Sequence, residues 1–338
     1  MKLVITGGGT GGHLAIAKSL KEAALKAGHQ CVFVGSTSGQ DRSWFENDKD
    51  FEEIHFLQTS GVVNKKGLAK IGSLFLTFKA SIKALFIVQK ADAVISVGGF
   101  SAAPASLAAL LLKKPYFIHE QNAALGRLNR LLRPYAKAFF SSYEEDSVVK
   151  DYPVRQRFFT SAHIREKIKT IIFLGGSQGA RFINELAIKI APLLKEKNIR
   201  IIHQAGKLEI TKVEEAYKKL DIQAEVFAFR TDVDLLMKES DLAVSRAGAS
   251  TLWELCASNL PALYIPYPYA AGDHQFYNAS FLCEKNASWL VRQEDDPYSL
   301  LCALLETDMQ ERSENLKELI HPNGAENIIK EVEKCLQN

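Results

Sequence analysis

Three stretches of this chain join an apolar, strand-like run to a cluster of small residues and then to a helical pattern. In that arrangement backbone N–H groups and a helix N-terminus converge where a phosphate could sit. The first is Gly7-Gly8-Gly9-Thr10-Gly11-Gly12-His13 after residues 2–6, the second Gly175-Gly176-Ser177-Gln178-Gly179 after residues 171–174, and the third Ser245-Arg246-Ala247-Gly248-Ala249-Ser250-Thr251. Glycine is expected because a Cβ would block close approach of a ligand. Ser177 and Gln178 add polar donors at a helix mouth, and Arg246 could neutralise phosphate. His13 has an intrinsic pKa suited to acid–base work near neutrality. Glu254, about one turn beyond Ser250, could accept hydrogen bonds from ribose hydroxyls or stand as a solvated helix charge.

Other chemistries fit less well. Gly7, Gly9 and Gly12 match the GxGxxG spacing of a dinucleotide site, but the second strand ends Val34-Gly35-Ser36-Thr37 with no acid for a ribose before Asp41. A Walker loop needs Lys and Ser/Thr where His13 and Leu14 stand. Asp232-Val233-Asp234 has the form of a metal-binding DxD, yet it opens a helical pattern after Thr231, so capping is the expected role. The second glycine turn is also compatible with a tight connection that binds nothing.

These motifs sit in a regular frame. Strand-like runs at residues 2–6, 31–35, 54–57, 93–97, 116–119 and 138–141 alternate with helical patterns, and the rhythm resumes at 170–174, 200–203, 225–229, 242–245 and 262–266. The expected fold is α/β, two Rossmann-like doubly wound parallel-sheet domains, with a hinge in residues 144–169 around Pro153. A length of 338 residues suits two domains, and 47% hydrophobic with 24% charged residues excludes gross disorder and fibrous repeats. The longest apolar stretch is read as residues 102–112, too short to span a bilayer, and Met1 leads straight into a strand pattern without signal-peptide features, so a cytoplasmic protein is expected. Cys31, Cys256, Cys283, Cys302 and Cys335 are scattered without a CxxC pair; they read as reduced thiols, and no metal site is expected. The net charge of +3 is uneven: residues 1–150 carry 19 Lys and Arg against 12 Asp and Glu, a surplus of 7, and the remainder 23 against 27, a deficit of 4. Lys65, Lys66, Lys70, Lys79, Lys83 and Lys90 fall in a stretch without acids, which favours an anionic surface; no nucleic-acid partner is expected.

GGTGGH at 8–13, HEQN at 119–122, PVR at 153–155, GGSQGA at 175–180, SRAGAST at 245–251 and DHQ at 273–275 form an ordered set over most of the chain. That set closely resembles the MurG family of bacterial cell-wall N-acetylglucosaminyltransferases. The resemblance implies the GT-B architecture, two Rossmann-like domains around a cleft with the last helix crossing back, hence domains at 1–157 with 325–338 and at 158–324. It implies inverting transfer of GlcNAc from UDP-GlcNAc to the MurNAc 4-hydroxyl of lipid I, giving lipid II for peptidoglycan. Donor-binding positions carried over by motif are Thr10, Gly11, Gly12, Asn122, Arg155, Ser177, Arg230, Arg246, Ala249, Ser250, Thr251, Leu252, Trp253, Glu254 and Gln275. Ser177 and the helix opening at 248–250 would hold the diphosphate, Glu254 the ribose, the backbone near Phe229 and Arg230 the uracil, and Gln275 the sugar. Gly98, Gly99, Phe100 and Asn129 are expected on the acceptor side. The sequence departs from the family in running from His13 directly into Leu14-Ala15-Ile16-Ala17, in Asp151-Tyr152 before PVR, and in Phe100 where relatives often have Tyr.

Inverting transfer needs a base for the acceptor hydroxyl. His13 is the first candidate, with a structural or substrate-binding histidine as the other reading, and Glu120 is the alternative base. Backbone donors and helix dipoles would stabilise the leaving group, so no cofactor is required, with room for stimulation by Mg²⁺. Residues 67–88 read as an amphipathic helix with Ile71, Leu74, Phe75, Phe78, Ile82, Leu85 and Phe86 on one face. Either it packs as an ordinary crossover helix, or part of it, with Arg127, Arg130 and Arg133, docks on anionic lipid as a peripheral protein of the cytoplasmic face of the inner membrane. A UDP-GlcNAc 2-epimerase and a non-catalytic nucleotide-binding module are the competing functions.

Overall fold

The computed structural model describes residues 1–61, 67–176 and 179–337. Two compact units emerge: Met1–Val154 together with the chain from Asn323 onward, and Arg155–Pro322.

In unit 1 the chain order is β1 (Lys2–Thr6), α1 (Gly11–Lys26), β2 (Gln30–Ser36), α2 (Asp41–Phe45), β3 (Glu53–Leu57), α3 (Gly67–Val88), β4 (Ala93–Ser96), α4 (Ala103–Leu111), β5 (Tyr116–Glu120), α5 (Arg127–Leu132) and β6 (Ala138–Ser141). The strands pair in parallel in the order β3-β2-β1-β4-β5-β6. Val4, Val32, Val34, Val94 and Ile118 bury against Ala80, Ala84, Ala105 and Ala108, so small residues let α3 and α4 lie close together and close to the sheet.

Unit 2 runs α6 (Gln156–Thr160), β7 (Thr170–Leu174), α7 (Arg181–Glu196), β8 (Arg200–Gln204), α8 (Ile210–Lys219), β9 (Ala224–Phe227), α9 (Val233–Lys238), β10 (Leu242–Ser245), α10 (Ala249–Ala257), β11 (Ala262–Tyr264), α11 (His274–Glu284), β12 (Trp289–Leu290), α12 (Pro297–Leu304) and α13 (Gln310–Leu319). Its sheet is also parallel, in the order β12-β11-β10-β7-β8-β9, which repeats the winding of unit 1. The border follows Val154 and not residue 157, because α6 packs on α10. Strand β12 is only two residues long and leaves no periodic trace in the sequence. The last helix, α14 (Gly324–Gln337), lies on α1 with Ile328, Ile329 and Val332 buried; His29 pairs with Glu333 at 2.7 Å.

Both sheets reverse their winding beside their first strand, between β1 and β4 and between β7 and β10. In doubly wound sheets ligands bind beyond the carboxyl ends of the strands at that reversal. Thr6 is level with Ser96, and Leu174 with Ser245, so the segments that follow each pair leave their sheet side by side. All three small-residue stretches are among them.

One expectation about apolar runs is corrected. Among the described residues, Ile71–Val88 in α3, not residues 102–112, is the stretch long and apolar enough to cross a membrane by length and composition. Ser73, Thr77, Lys79, Ser81 and Lys83 interrupt it in the linear sequence and hide its length. In the fold Ser73, Ala80, Ser81, Ala84 and Val88 face inward, while Ile71, Leu74, Phe75, Phe78, Ile82 and Phe86 are exposed, Phe75 by 66%. The helix is therefore a crossover helix turned large side out, and Leu85 is half-buried.

Candidate active site

In unit 1 the segments after β1 and β4 lie back to back. Gly8 N–H donates to Gly98 O at 3.2 Å. Gly7 at φ +130° and Gly99 at φ +81° leave no space for a Cβ, which would drive into Gly98 O and Gly8 O. Below them the buried Asp41 carboxylate accepts from Gly9 N–H and from Ser36 N–H. Burial pushes the Asp41 pKa up against the pull of those donors. The Phe100 ring covers Gly9. The leading glycines are thus required by protein packed on protein, which corrects the ligand-approach reading for Gly7, Gly8 and Gly9. Asp41, the acid that stands too late for a dinucleotide ribose, holds the turn from beneath.

What the turn presents is His13. Because Leu14, Ile16 and Ala17 are core residues, α1 continues unbroken through the site and fixes His13 on its first turn. Thr10, at the N-cap, turns its Oγ1 to His13 Nδ1 at 2.8 Å and does not cap the helix. Gln121 Nε2 lies 2.8 Å from His13 Nε2. A Cβ on Gly98 would stand 3.5 Å from the His13 ring and 3.1 Å from Asn129 Nδ2, so these groups crowd one spot. Glu120, at the end of β5, accepts from Asn122 N–H and Gly126 N–H, each at 3.0 Å, and from Asn129 Nδ2 at 2.9 Å. Both its oxygens are engaged in shaping the 120–129 segment. His119 beside it is fully buried, and burial drops its pKa to about 3, so it stays neutral. Thr10 and Gly98 thus stand at His13, Asn129 stands beside Gly98, and Glu120 links Asn129 to Asn122. Gln121 was not singled out; its only sequence signal is its place between Glu120 and Asn122.

Unit 2 gathers a different set. After β10, α10 begins at Ala249 with Gly248 as an N-cap that makes no side-chain capping bond and no acid in its first turn, which leaves its N-terminal dipole available to an anion. Of the run 249–254, Leu252 and Trp253 are core side chains at 0% and 1% exposure, with Trp253 against Phe281, which leaves only their backbone to face a donor. Ala249 is buried, and Ser250 and Thr251 are partly open. Glu254 faces Arg155 Nη2 at 3.7 Å. Burial lifts its carboxyl to about 7 against that opposing guanidinium. Arg157 and Asp234 form a neighbouring pair at 3.2 Å.

Arg246 does not face a ligand position: Nη1 donates to Ile265 O and Pro266 O at 2.9 and 2.8 Å, and Nη2 to Gln293 Oε1. It ties down the exit of β11 in place of neutralising a phosphate. Arg230 is bound to Asp232 and, at 2.7 Å, to Glu225. Asp232 therefore neither caps α9 nor offers a DxD ligand, since its carboxylate belongs to Arg230, which depresses its pKa to about 2. Gln275 Oε1 accepts from Tyr267 N–H at 2.9 Å. Gly175 and Gly179 are packed against Ala180 N and Ala205 O, while nothing lies within 4 Å of a Cβ on Gly176. Ser177, Lys65 and Lys66 lie outside the described residues, as does the side chain of Lys70. Among the described residues no three of His, Cys, Asp or Glu gather to hold a metal ion.

Comparison with known proteins places this geometry. Residues 3–141 match the glycosyltransferase family 28 N-terminal domain and residues 170–332 its C-terminal domain. A Sulfurovum sp. (strain NBC37-1) protein named UDP-N-acetylglucosamine–N-acetylmuramyl-(pentapeptide) pyrophosphoryl-undecaprenol N-acetylglucosamine transferase is 53% identical over 330 residues, 97% of each chain. The protein of that name from Wolinella succinogenes is 49% identical over 97% of this chain and 98% of its own. The crystal structure of Acinetobacter baumannii MurG is 26% identical and superposes with a TM-score of 0.79 over 98% of this chain and 99% of that one. With both domains matched in order and half of its residues shared end to end with such transferases, the chain belongs to glycosyltransferase family 28 and, within it, to the MurG family of N-acetylglucosaminyltransferases.

Proposed function

We propose that the chain moves GlcNAc from UDP-GlcNAc to the MurNAc 4-hydroxyl of lipid I, forming lipid II with inversion, at the cytoplasmic face of the membrane. The observation that carries the mechanistic part is His13: an imidazole fixed at the switch point of unit 1 by hydrogen bonds at both ring nitrogens. In the proposed step the acceptor oxygen attacks the anomeric carbon and its proton passes to His13. The anomeric C–O bond breaks on the opposite side, and UDP leaves with the electron pair.

The donor is read onto unit 2. The diphosphate lies at Ser177 and the opening of α10 at Ser250 and Thr251, the ribose at Glu254, uracil along the backbone at Phe229 and Arg230, and the sugar at Gln275. Arg155 keeps Glu254 company and limits how far burial neutralises it. Helix N-termini and backbone donors take up the leaving-group charge, and Mg²⁺ is assigned no step. Activity that survives a chelator agrees with that assignment, and its abolition removes it.

The exposed face of α3 with Lys79, and the exposed Arg130 of α5, form the proposed membrane contact, together with Lys65, Lys66 and Lys70. Arg133 is withdrawn from that set because it pairs with Glu144 at 3.3 Å and stacks on Phe139. Phe75→Asp with Phe78→Asp is expected to abolish sedimentation with anionic vesicles while leaving UDP affinity intact; unchanged sedimentation rejects the patch.

The deciding experiment measures UDP release from UDP-GlcNAc with and without a lipid I analogue. Release that depends on the acceptor is the expected result. Turnover without acceptor points to an epimerase or hydrolase, and binding of UDP without any release to a non-catalytic module.

A further inference from the structure

We propose that Gln121 is a positioning residue for the base: it selects the tautomer of His13 and turns its amide over as the imidazole gains its proton. The inference rests on His13 being the base, as assigned above.

A primary amide nitrogen donates and cannot accept. With Gln121 Nε2 at 2.8 Å from His13 Nε2, the lone pair of the imidazole is on Nε2 and its proton on Nδ1, where Thr10 Oγ1 stands at 2.8 Å to accept it. Two neighbours thus fix both ring orientation and tautomer, a role that in other base-assisted sites falls to a carboxylate or carbonyl behind the histidine. Gln121 is 6% exposed, so its amide is held by the protein, and its Oε1 is buried without a protein partner among the described residues. That orphaned acceptor finds its partner in the other protonation state. As the acceptor hydroxyl arrives, the Gln121 N–H turns off the Nε2 lone pair; the hydroxyl gives its proton to Nε2, its O–H electron pair forms the new C–O bond, and Nε2 becomes a donor. A half-turn of the Gln121 amide then sets Oε1 against Nε2–H. One side chain serves the neutral and the protonated imidazole, which a carboxylate could not do without holding the proton permanently.

The other titratable groups near the site leave this role to Gln121. On β5, Glu120 is engaged by Asn122, Gly126 and Asn129, and His119 is kept neutral by burial. Asp41, under the turn, is engaged by Gly9 and Ser36.

The test combines kinetics with nitrogen NMR of the intact protein. In Gln121→Glu a carboxylate replaces the amide beside Nε2 and favours the imidazolium. The acid limb of the kcat–pH profile is expected to move up by a unit or more, with turnover at pH 7 falling about tenfold and recovering at higher pH. In Gln121→Leu kcat is expected to fall about tenfold with the KM for UDP-GlcNAc unchanged. In the unmodified protein the ¹⁵N shifts of neutral His13 are expected to show a protonated Nδ1 and a bare Nε2, a readout that survives any folding defect of the variants. An Nε2–H tautomer, or an unmoved acid limb in folded Gln121→Glu, overturns the proposal. Full turnover of His13→Ala would instead remove the base itself, whatever Gln121 does.

Discussion

At the switch point of unit 1 the missing Cβ positions of Gly7 and Gly99 drive into the backbone of the facing turn, whereas in unit 2 Gly176 and Gly248 have nothing within 4 Å of theirs. The sheets that carry them have the same strand order. One pair of turns is closed on itself and serves to hold up a histidine and two amides; the other is open above a helix N-terminus and carries a half-buried acid–arginine pair. A glycine-rich turn after a parallel strand is thus a geometric device with two uses. Whether it serves as a ligand cradle depends on what stands over the glycines, and the spacing of the glycines does not reveal it.

If unit 1 supplies chemistry and unit 2 binding, the sharpest contrast comes from their acids and bases. His13→Ala is expected to lower kcat by roughly 10²–10⁴-fold with UDP affinity unchanged. An equal loss of UDP binding, measured by calorimetry, would erase the division of labour. The glycines come next. Gly99→Ala, forced to φ +81° against Gly8 O, is expected to destabilise unit 1 by about 3 kcal/mol in denaturant melts. Gly248→Ala, at φ −66° in open space, should stay within about 0.5 kcal/mol and show its effect, if any, on the KM for UDP-GlcNAc. Equal destabilisation by the two would show that the turns are built alike.

Glu254 gives a pH test of the open site. Its folded pKa of about 7 lies above the ordinary 4.5, so between those values the folded unit keeps a proton that the unfolded chain has lost. The resulting contribution favours the fold, is fully present below about pH 4.5, and disappears as pH rises through about 7. Between pH 5 and 8 the wild type is expected to lose about 1–3 kcal/mol relative to Glu254→Gln, the lower end if Arg155 screens the charge. Parallel stability curves for the two proteins would place Glu254 in solvent. Smallest of all, Asp232→Asn removes an exposed ion pair with Arg230 and is expected to leave the denaturation midpoint unchanged, which separates this surface DxD from a metal site.

The strands were legible to within a residue or two because buried parallel strands read as unbroken apolar runs. Exceptions had specific causes. The segment at 225–229 ends at Phe227, and that at 262–266 ends at Tyr264, short of Pro266, which has no N–H to give a ladder. In α3, small and polar residues mark the packed face and large apolar ones the outer face, the reverse of the usual amphipathic pattern, so periodicity located the helix but could not orient it. Motif resemblance carried whole runs such as 249–254, and only burial separated the side chains that reach outward from Leu252 and Trp253.

Sequence by itself determined that this chain has two parallel α/β halves, where the small-residue turns fall, and, through the ordered motifs, which family it joins. These depend on local patterning and on residue identity, which a linear chain displays. Only the tertiary structure decided that Asp41 and Gly98 brace the first turn, that Arg246 and Arg230 are already partnered, that Glu120 is tied to Asn122, Gly126 and Asn129, and that Gln121 reaches His13 across 108 positions of sequence. Such contacts join strands and turns distant along the chain, and their hydrogen-bond geometry exists only once the sheet has set its strands side by side.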